Sequence, residues 1–194
     1  MHLPFSVPSQ TYFQDVTSAE KARVININNI LMETEPEENT AVFEKLCAKL
    51  TEKGVEYAVT EHEPCKTSEE SAKVRGVSLA SGAKAMLCED FSKKLEKDYW
   101  LVVLSAAKKI DWKKLRVIIG TKKFQLVKLE SVFGITGCIN GAVPPFGSLM
   151  GLHTICDKSL IDQGESINFN AGLRTKSISM KTEDYIKFEN PRLG

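Results

Sequence analysis

The sequence predicts an α/β (α+β) domain built on a mixed sheet, and three observations carry that reading. Short amphipathic segments closed by glycine alternate irregularly with short apolar runs. The strand-like runs outnumber those a doubly wound parallel sheet uses. The most apolar run, YWLVVLS at residues 99–105, lies mid-chain and reads as a central buried strand. At 194 residues, with 42% hydrophobic and 26% charged side chains, the chain has the composition of a globular domain able to bury a core.

Residues 1–38 read as an N-terminal extension and residues 39–194 as the domain. Pro4 and Pro8 break the start, residues 22–31 (ARVININNIL) have one strand's worth of apolar character, and METEPEENT is an acidic linker. Glu33, Glu35, Glu37 and Glu38 complement a helix N-terminus, which Asn39 or Thr40 can cap. The helix itself, Ala41–Glu52, puts Val42, Leu46 and Leu50 on one face and ends at Gly54. A strand at residues 55–60 and a turn at His62-Glu63-Pro64 follow. Thr67, with Glu69 and Glu70 behind it, opens a short helix that runs through Val74 and closes near Gly76.

Residues 84–88 read as a strand whose first residue is Lys84, and residues 90–98 as a charged turn region before the central strand. Asp111 caps the helix DWKKLRVII, which Gly120 terminates; residues 124–128 start a strand or helix. Residues 152–156, 166–170 and 177–180 read as strands, and residues 182–186 start a last helix. There are no internal repeats.

Composition excludes several classes. A net charge of +1 supplies no global drive toward nucleic acid, so such binding needs a local patch. The five cysteines are odd in number and form no CxxC pair, the pattern of reduced thiols in a cytoplasmic compartment. No apolar run approaches membrane-spanning length, and the N-terminus lacks a signal pattern, so no membrane partner is expected.

The chemistry-bearing candidates are few. Residues 136–147, TGCINGAVPPFG, hold Gly137, Gly141, Gly147 and the pair Pro144-Pro145. Glycine admits positive φ and close backbone approach, while proline fixes φ and removes a donor. Such a loop is either structural punctuation or a backbone anion or oxyanion site. Nothing in the spacing of Cys138 and His153 favours a nucleophile–base pair, and His62 reads as a turn residue. No HExxH, Walker or GxGxxG pattern occurs, so no metal or cofactor is expected. Lys108, Lys109, Lys113, Lys114, Arg116, Lys122 and Lys123 form a basic run that is either a solvated face or a phosphate contact surface. Lys84 differs, because a lysine at a strand end beside a glycine-rich loop can aim its ammonium at a phosphate.

Taken in order, HEPCKTSEE, AKAML, ITGCINGAVPPFG and FNAGLRTKSISM resemble the YbaK/ProX family of aminoacyl-tRNA deacylases, whose domain also occurs as the editing insertion of prolyl-tRNA synthetases. The resemblance spans about residues 41–186 and rests most specifically on the GxxxP motif from Gly141 to Pro145 and on Lys84. It implies a curved mixed sheet wrapped into a partly closed barrel with helices around it. It also implies hydrolysis, without metal or cofactor, of the ester of mischarged tRNA, with Ala-tRNA(Pro) or another small amino acid on tRNA(Pro) as the expected substrate. Gly141 and Ala142 would donate backbone N–H groups to the oxyanion, Lys84 would hold the terminal adenosine phosphate, and the substrate's ribose hydroxyl would orient the water. Pro145, Val143, Asp157, Asn170 and Gly172 would contact substrate; Ala85, where relatives often carry a polar group, leaves amino-acid choice open.

Under this resemblance Lys113 and Lys114 become candidate contacts for the tRNA acceptor end, and prolyl-tRNA synthetase or a multi-synthetase complex a further partner. The alternative is a non-catalytic adaptor of the same fold that binds tRNA or a synthetase complex.

Overall fold

The computed structural model describes residues 36–65, 67–92 and 97–194. The strand expected at residues 22–31 and most of the expected N-terminal extension lie outside the described residues.

Helix α1 (Ala41–Glu52) has the predicted bounds and fully buries Leu46 and Leu50, with Val42 at the edge of that face. Its N-cap residue is Thr40, but Asn39 supplies the side chain that accepts the Ala41 N–H, at 3.1 Å. Strand β1 (Tyr57–Glu61) leads to α2 (Ser68–Arg75). There the Thr67 side chain accepts from the Glu70 N–H at 3.1 Å and Glu70 accepts from the Thr67 N–H at 3.1 Å, a reciprocal capping box. Gly76, in the left-handed region at φ 66°, closes the helix.

After a short 3₁₀ turn come β2 (Ala83–Asp90) and β3 (Asp98–Ser105), then α3 (Trp112–Ile119). Asp111 caps α3 by accepting the Lys113 and Lys114 N–H groups, each at 3.0 Å, as the sequence predicts. The remaining elements are β4 (Phe124–Leu126), α4 (Leu129–Thr136), β5 (His153–Cys156), α5 (Lys158–Ile161), β6 (Ser166–Leu173), β7 (Lys176–Lys181), α6 (Thr182–Glu189) and β8 (Arg192–Leu193). Helices α4 and α5 and strand β8 were not anticipated. Gly134 inside α4 obscures its period, and four residues of α5 carry too little pattern to read.

Among the described residues the strands form two sheets. One is ordered β1-β7-β6 and is antiparallel; the other is β4-β2-β3-β5-β8, with β3 central and its last two pairings parallel. The mixed α/β character and the central position of residues 99–105 agree with the sequence. Among the described residues the two sheets do not close on each other by strand pairing; one isolated bridge, Gly82 to Asn168, links the residue before β2 to β6. The largest core cluster lies under both sheets, with Leu101 and Val103 of β3, Phe169 of β6, Ile178 of β7 and Leu46 and Leu50 of α1 all buried. No described helix is long and apolar enough to cross a membrane.

Candidate functional site

The glycine–proline loop leaves α4 and is fastened to the core at its far end. Phe146, fully buried, makes edge-to-face contacts with Phe169, Tyr185 and Phe188 at centroid distances of 5.4, 5.3 and 5.4 Å. Each such pair contributes about 0.5–1.5 kcal/mol beyond area burial. Pro144 and Pro145 are buried just before it, and the Pro145 carbonyl accepts the Tyr185 hydroxyl at 3.0 Å.

The near end of the loop is a tight turn from Ile139 to Ala142, closed by the Ala142 N–H donating to the Ile139 carbonyl at 3.1 Å. Gly141 takes φ 86° and Asn140 does not have positive φ, the type II pattern with glycine third. Strand β6 backs the turn. It carries a register irregularity between Asn170 and Leu173, where Gly172 takes φ 93° and donates its N–H to the Ala142 carbonyl at 2.9 Å. A Cβ on Gly172 would sit 3.0 Å from the Phe43 nitrogen, so the close approach of α1 and β6 needs glycine.

In front of the turn is an open cleft. Helix α2 and its N-cap contribute Ser71, Arg75 and Thr67 to its wall; Gly82 and the start of β2 (Ala83, Lys84 and Ala85) form a second side, with Gly141, Val143 and Asn170 facing them. The polar wall is internally bonded. Asn170 Nδ2 donates to the Gly141 carbonyl at 2.7 Å, while its Oδ1 accepts from Arg75 Nη2 and faces the Ser177 hydroxyl at 3.4 Å. Arg75 Nε donates to Ser177 Oγ at 2.8 Å. His62 Nδ1 lies 2.8 Å from the Glu63 carbonyl, which can only accept, so Nδ1 carries the proton in the neutral ring. Nε2, 2.6 Å from Ser177 Oγ, is then the acceptor of the serine hydroxyl. Burial pushes the Arg75 guanidinium down to about 10, leaving it charged at neutral pH.

Lys84 is half-buried, and its ammonium donates to the carbonyls of Ala106, at 3.3 Å, and Lys108. Burial lowers its pKa, with Glu69 opposing and Lys109 reinforcing that shift. An ammonium has three donors, so two go to the protein and one remains.

The structure therefore brings Lys84, Gly141, Val143 and Asn170 to one cleft and sorts the other expected residues differently. Ala142 is fully buried, and its N–H is committed to Ile139, so it does not face the cleft as an oxyanion donor. Pro145 and Gly172 are buried and hold the loop through the Pro145 carbonyl and the Gly172 N–H; neither lines the cleft. Asp157 caps α5 by accepting the Ser159 N–H at 2.8 Å and lies 4.0 Å from Lys108 Nζ, outside the cleft. Burial works to raise the Asp157 carboxyl, but the Ser159 hydrogen bonds and the Lys108 and Lys114 charges outweigh it and hold it below the usual value. Lys113 and Lys114 are exposed on the first turn of α3.

Arg75, Ser71, Ser177 and Arg174 were missed by sequence reasoning. Arg75 reads as an ordinary basic residue in the last turn of a helix, and only the fold turns it inward.

Cys138 is buried and unsuited to nucleophilic work, since burial pushes its thiol up to about 12. Among the described residues no group of three or more His, Cys, Asp or Glu side chains is placed to hold a metal ion.

Comparison with known proteins agrees with this architecture. The aminoacyl-tRNA editing domain family matches residues 62–188. The multifunctional Ser/Thr-tRNA deacylase ProXp-y of Escherichia coli K12 is 32% identical over 160 residues, covering 82% of this chain and 95% of that protein. The prolyl-tRNA editing protein ProX of Acetoanaerobium sticklandii is 30% identical over 118 residues, covering 59% of this chain and 70% of that protein. A solved candidate trans-editing enzyme for prolyl-tRNA synthetase superposes with a TM-score of 0.68 at 17% identity, covering 79% of this chain and 94% of that one, a likeness of fold. The chain belongs to the YbaK/ProX family of aminoacyl-tRNA deacylases.

Proposed function

We propose that this chain hydrolyses the ester of tRNA mischarged with a small amino acid, using backbone N–H groups as its main electrophilic device. The observation that carries the reading is the turn at Gly141. Gly141 and Val143 both line the cleft, and their N–H groups have no partner among the described residues. They replace the Gly141–Ala142 pair as donors to the oxyanion that develops on the ester carbonyl. Preorganised donors of this kind are worth about 3–4 kcal/mol each in the transition state. The third Lys84 donor reaches a phosphate of the terminal adenosine, and the ribose hydroxyl orients the attacking water.

Ala85 and Val143 limit the size of the acyl side chain, which suits alanine. The Thr67, Ser71 and Arg75 wall adds hydrogen-bonding groups that a serine or threonine hydroxyl satisfies, and the Escherichia coli relative is named for those two amino acids. A wall built to bond a hydroxyl separates it from a methyl far more strongly than a size filter does. Lys113 and Lys114, exposed on the first turn of α3, are the proposed contacts for an acceptor stem, with tRNA as the macromolecular partner; tRNA(Pro) and docking on a prolyl-tRNA synthetase are the finer forms of this reading.

The test is release of amino acid from tRNA charged with Ser, Thr, Ala or Cys, by wild type, Lys84→Ala and Gly141→Ala. Turnover of at least one substrate by wild type, with both variants slowed, is expected. No release from any substrate, with tRNA still bound, transfers the protein to the adaptor class.

A further inference from the structure

Three consecutive carbonyls of the turn are held by alternate residues of one segment, Asn170 and Gly172 of β6 and Arg174 in the turn that follows it. The Asn140 carbonyl accepts from Arg174 Nε at 2.9 Å and Nη2 at 2.7 Å. The Gly141 carbonyl accepts from Asn170 Nδ2 at 2.7 Å, and the Ala142 carbonyl from the Gly172 N–H at 2.9 Å. Arg174 is only 7% exposed. Its own N–H donates to Glu38 Oε1 at 2.8 Å and its carbonyl accepts from the Cys65 N–H at 3.1 Å, so its backbone is fixed on both sides.

A trans peptide is planar, with C=O and N–H pointing in opposite directions. Drawing the Asn140 oxygen toward Arg174 therefore turns the Gly141 N–H toward the cleft that Gly141 lines. The alternative is close in energy. A type II turn becomes type I by flipping its central peptide, and glycine at the third position tolerates both forms. The flip would withdraw the Gly141 N–H and present the Asn140 oxygen to the cleft, where it would repel a developing oxyanion. Two N–H donors from one rigid guanidinium on that oxygen hold the peptide in the productive form, which a flexible point-charge ammonium does less well.

We infer that Arg174 is a positioning residue for catalysis, acting through the Asn140–Gly141 peptide to aim the Gly141 N–H at the ester. The inference rests on the deacylase reading for its consequence in rate, but the peptide orientation is measurable without any substrate.

The experiment uses the full chain labelled with ¹⁵N-glycine, as wild type, Arg174→Lys and Arg174→Ala. In both variants the Gly141 amide signal is expected to shift or double. Millimolar guanidinium should return the signal of Arg174→Ala toward the wild-type position. On whichever charged tRNA wild type cleaves, kcat should fall by roughly 10²-fold with KM nearly unchanged, the loss typical of one oxyanion donor. Guanidinium should restore part of that loss. Should Arg174→Ala fail to fold, Arg174→Lys carries the comparison, since it keeps charge and most of the volume. An unmoved Gly141 signal in the folded variant overturns the inference, whether or not wild type is active. A moved signal with unchanged kcat overturns the catalytic role alone. Absence of turnover by wild type, with the Gly141 signal still moved, condemns the deacylase reading instead and leaves the Arg174 contact established as the determinant of the peptide.

Discussion

Glu189 Oε2 accepts the Ser148 hydroxyl at 2.6 Å while Oε1 accepts the Ser148 N–H at 3.1 Å, so the last residue of α6 grips the chain just beyond the glycine–proline loop. Thr154 of β5 donates its hydroxyl to the same carboxylate and accepts the Gly147 N–H at 3.2 Å. Loop, sheet and final helix meet at this one side chain.

That contact sets a pH dependence of stability. Burial raises the Glu189 carboxyl above its ordinary value, and the hydrogen bonds from Ser148 and Thr154 only partly offset the rise. The native state binds this proton more tightly than the unfolded chain does. Its contribution is therefore complete below the unfolded value near 4.5 and is lost as pH rises through the higher folded value. Urea unfolding of wild type from pH 4 upward should show this decline, and Glu189→Gln should flatten it. An identical slope in the variant refutes the assignment.

Val143 offers a test of which peptide donates. Val143→Pro deletes the N–H, and kcat is expected to fall about 10²-fold. Val143→Ala keeps the N–H and should stay within a few-fold of wild type on a small acyl group. Equal loss in both, with both folded, would mean that the side chain rather than the amide matters.

Gly172→Ala should lower both stability and turnover. The new Cβ meets Phe43 backbone at 3.0 Å in a conformation with φ 93°, so strain and overpacking combine to cost about 1–3 kcal/mol. Chemical denaturation measures the first effect and single-turnover deacylation the second. Wild-type stability in the variant would show that α1 gives way without penalty.

Lys113→Glu with Lys114→Glu reverses charge on the first turn of α3 without touching the cleft. Binding of tRNA should weaken and its salt dependence become shallower, while kcat at saturation is kept. Asp111→Ala separates the cap from the charge: it should cost about 0.5–2 kcal/mol of stability and leave tRNA affinity alone. An unchanged salt slope in the charge-reversal variant would return these lysines to a solvated face.

Thiol chemistry should be irrelevant to turnover. Cys88, Cys138 and Cys156 are buried and pushed up to about 12 by that burial, so Cys138→Ala should retain wild-type kcat. A loss above tenfold in a stably folded variant would revive the cysteine.

The caps and glycine stops made α1, α2 and α3 legible to within a residue, because Thr67, Asp111, Gly76 and Gly120 act locally and leave their chemistry in adjacent letters. The site was legible to a lesser depth. Lys84, Gly141, Val143 and Asn170 do meet at one cleft, yet which N–H faces it depends on Arg174, more than thirty residues away. Ala142 and Pro145 sit in the same motif as Gly141, and spacing alone does not distinguish an outward peptide from one spent inside a turn. Asp157 entered the expected pocket only through the family resemblance, whereas its carboxylate accepts the Ser159 N–H at the start of α5.

Asn170 touches Arg75 with one end of its amide and Gly141 with the other. Asn170 thus joins the α2 wall of the cleft to the turn at Gly141, two segments far apart in sequence. On the deacylase reading, substitutions along α2 would retune which amino acid is accepted and leave the turn at Gly141 intact, so long as that amide stays in place.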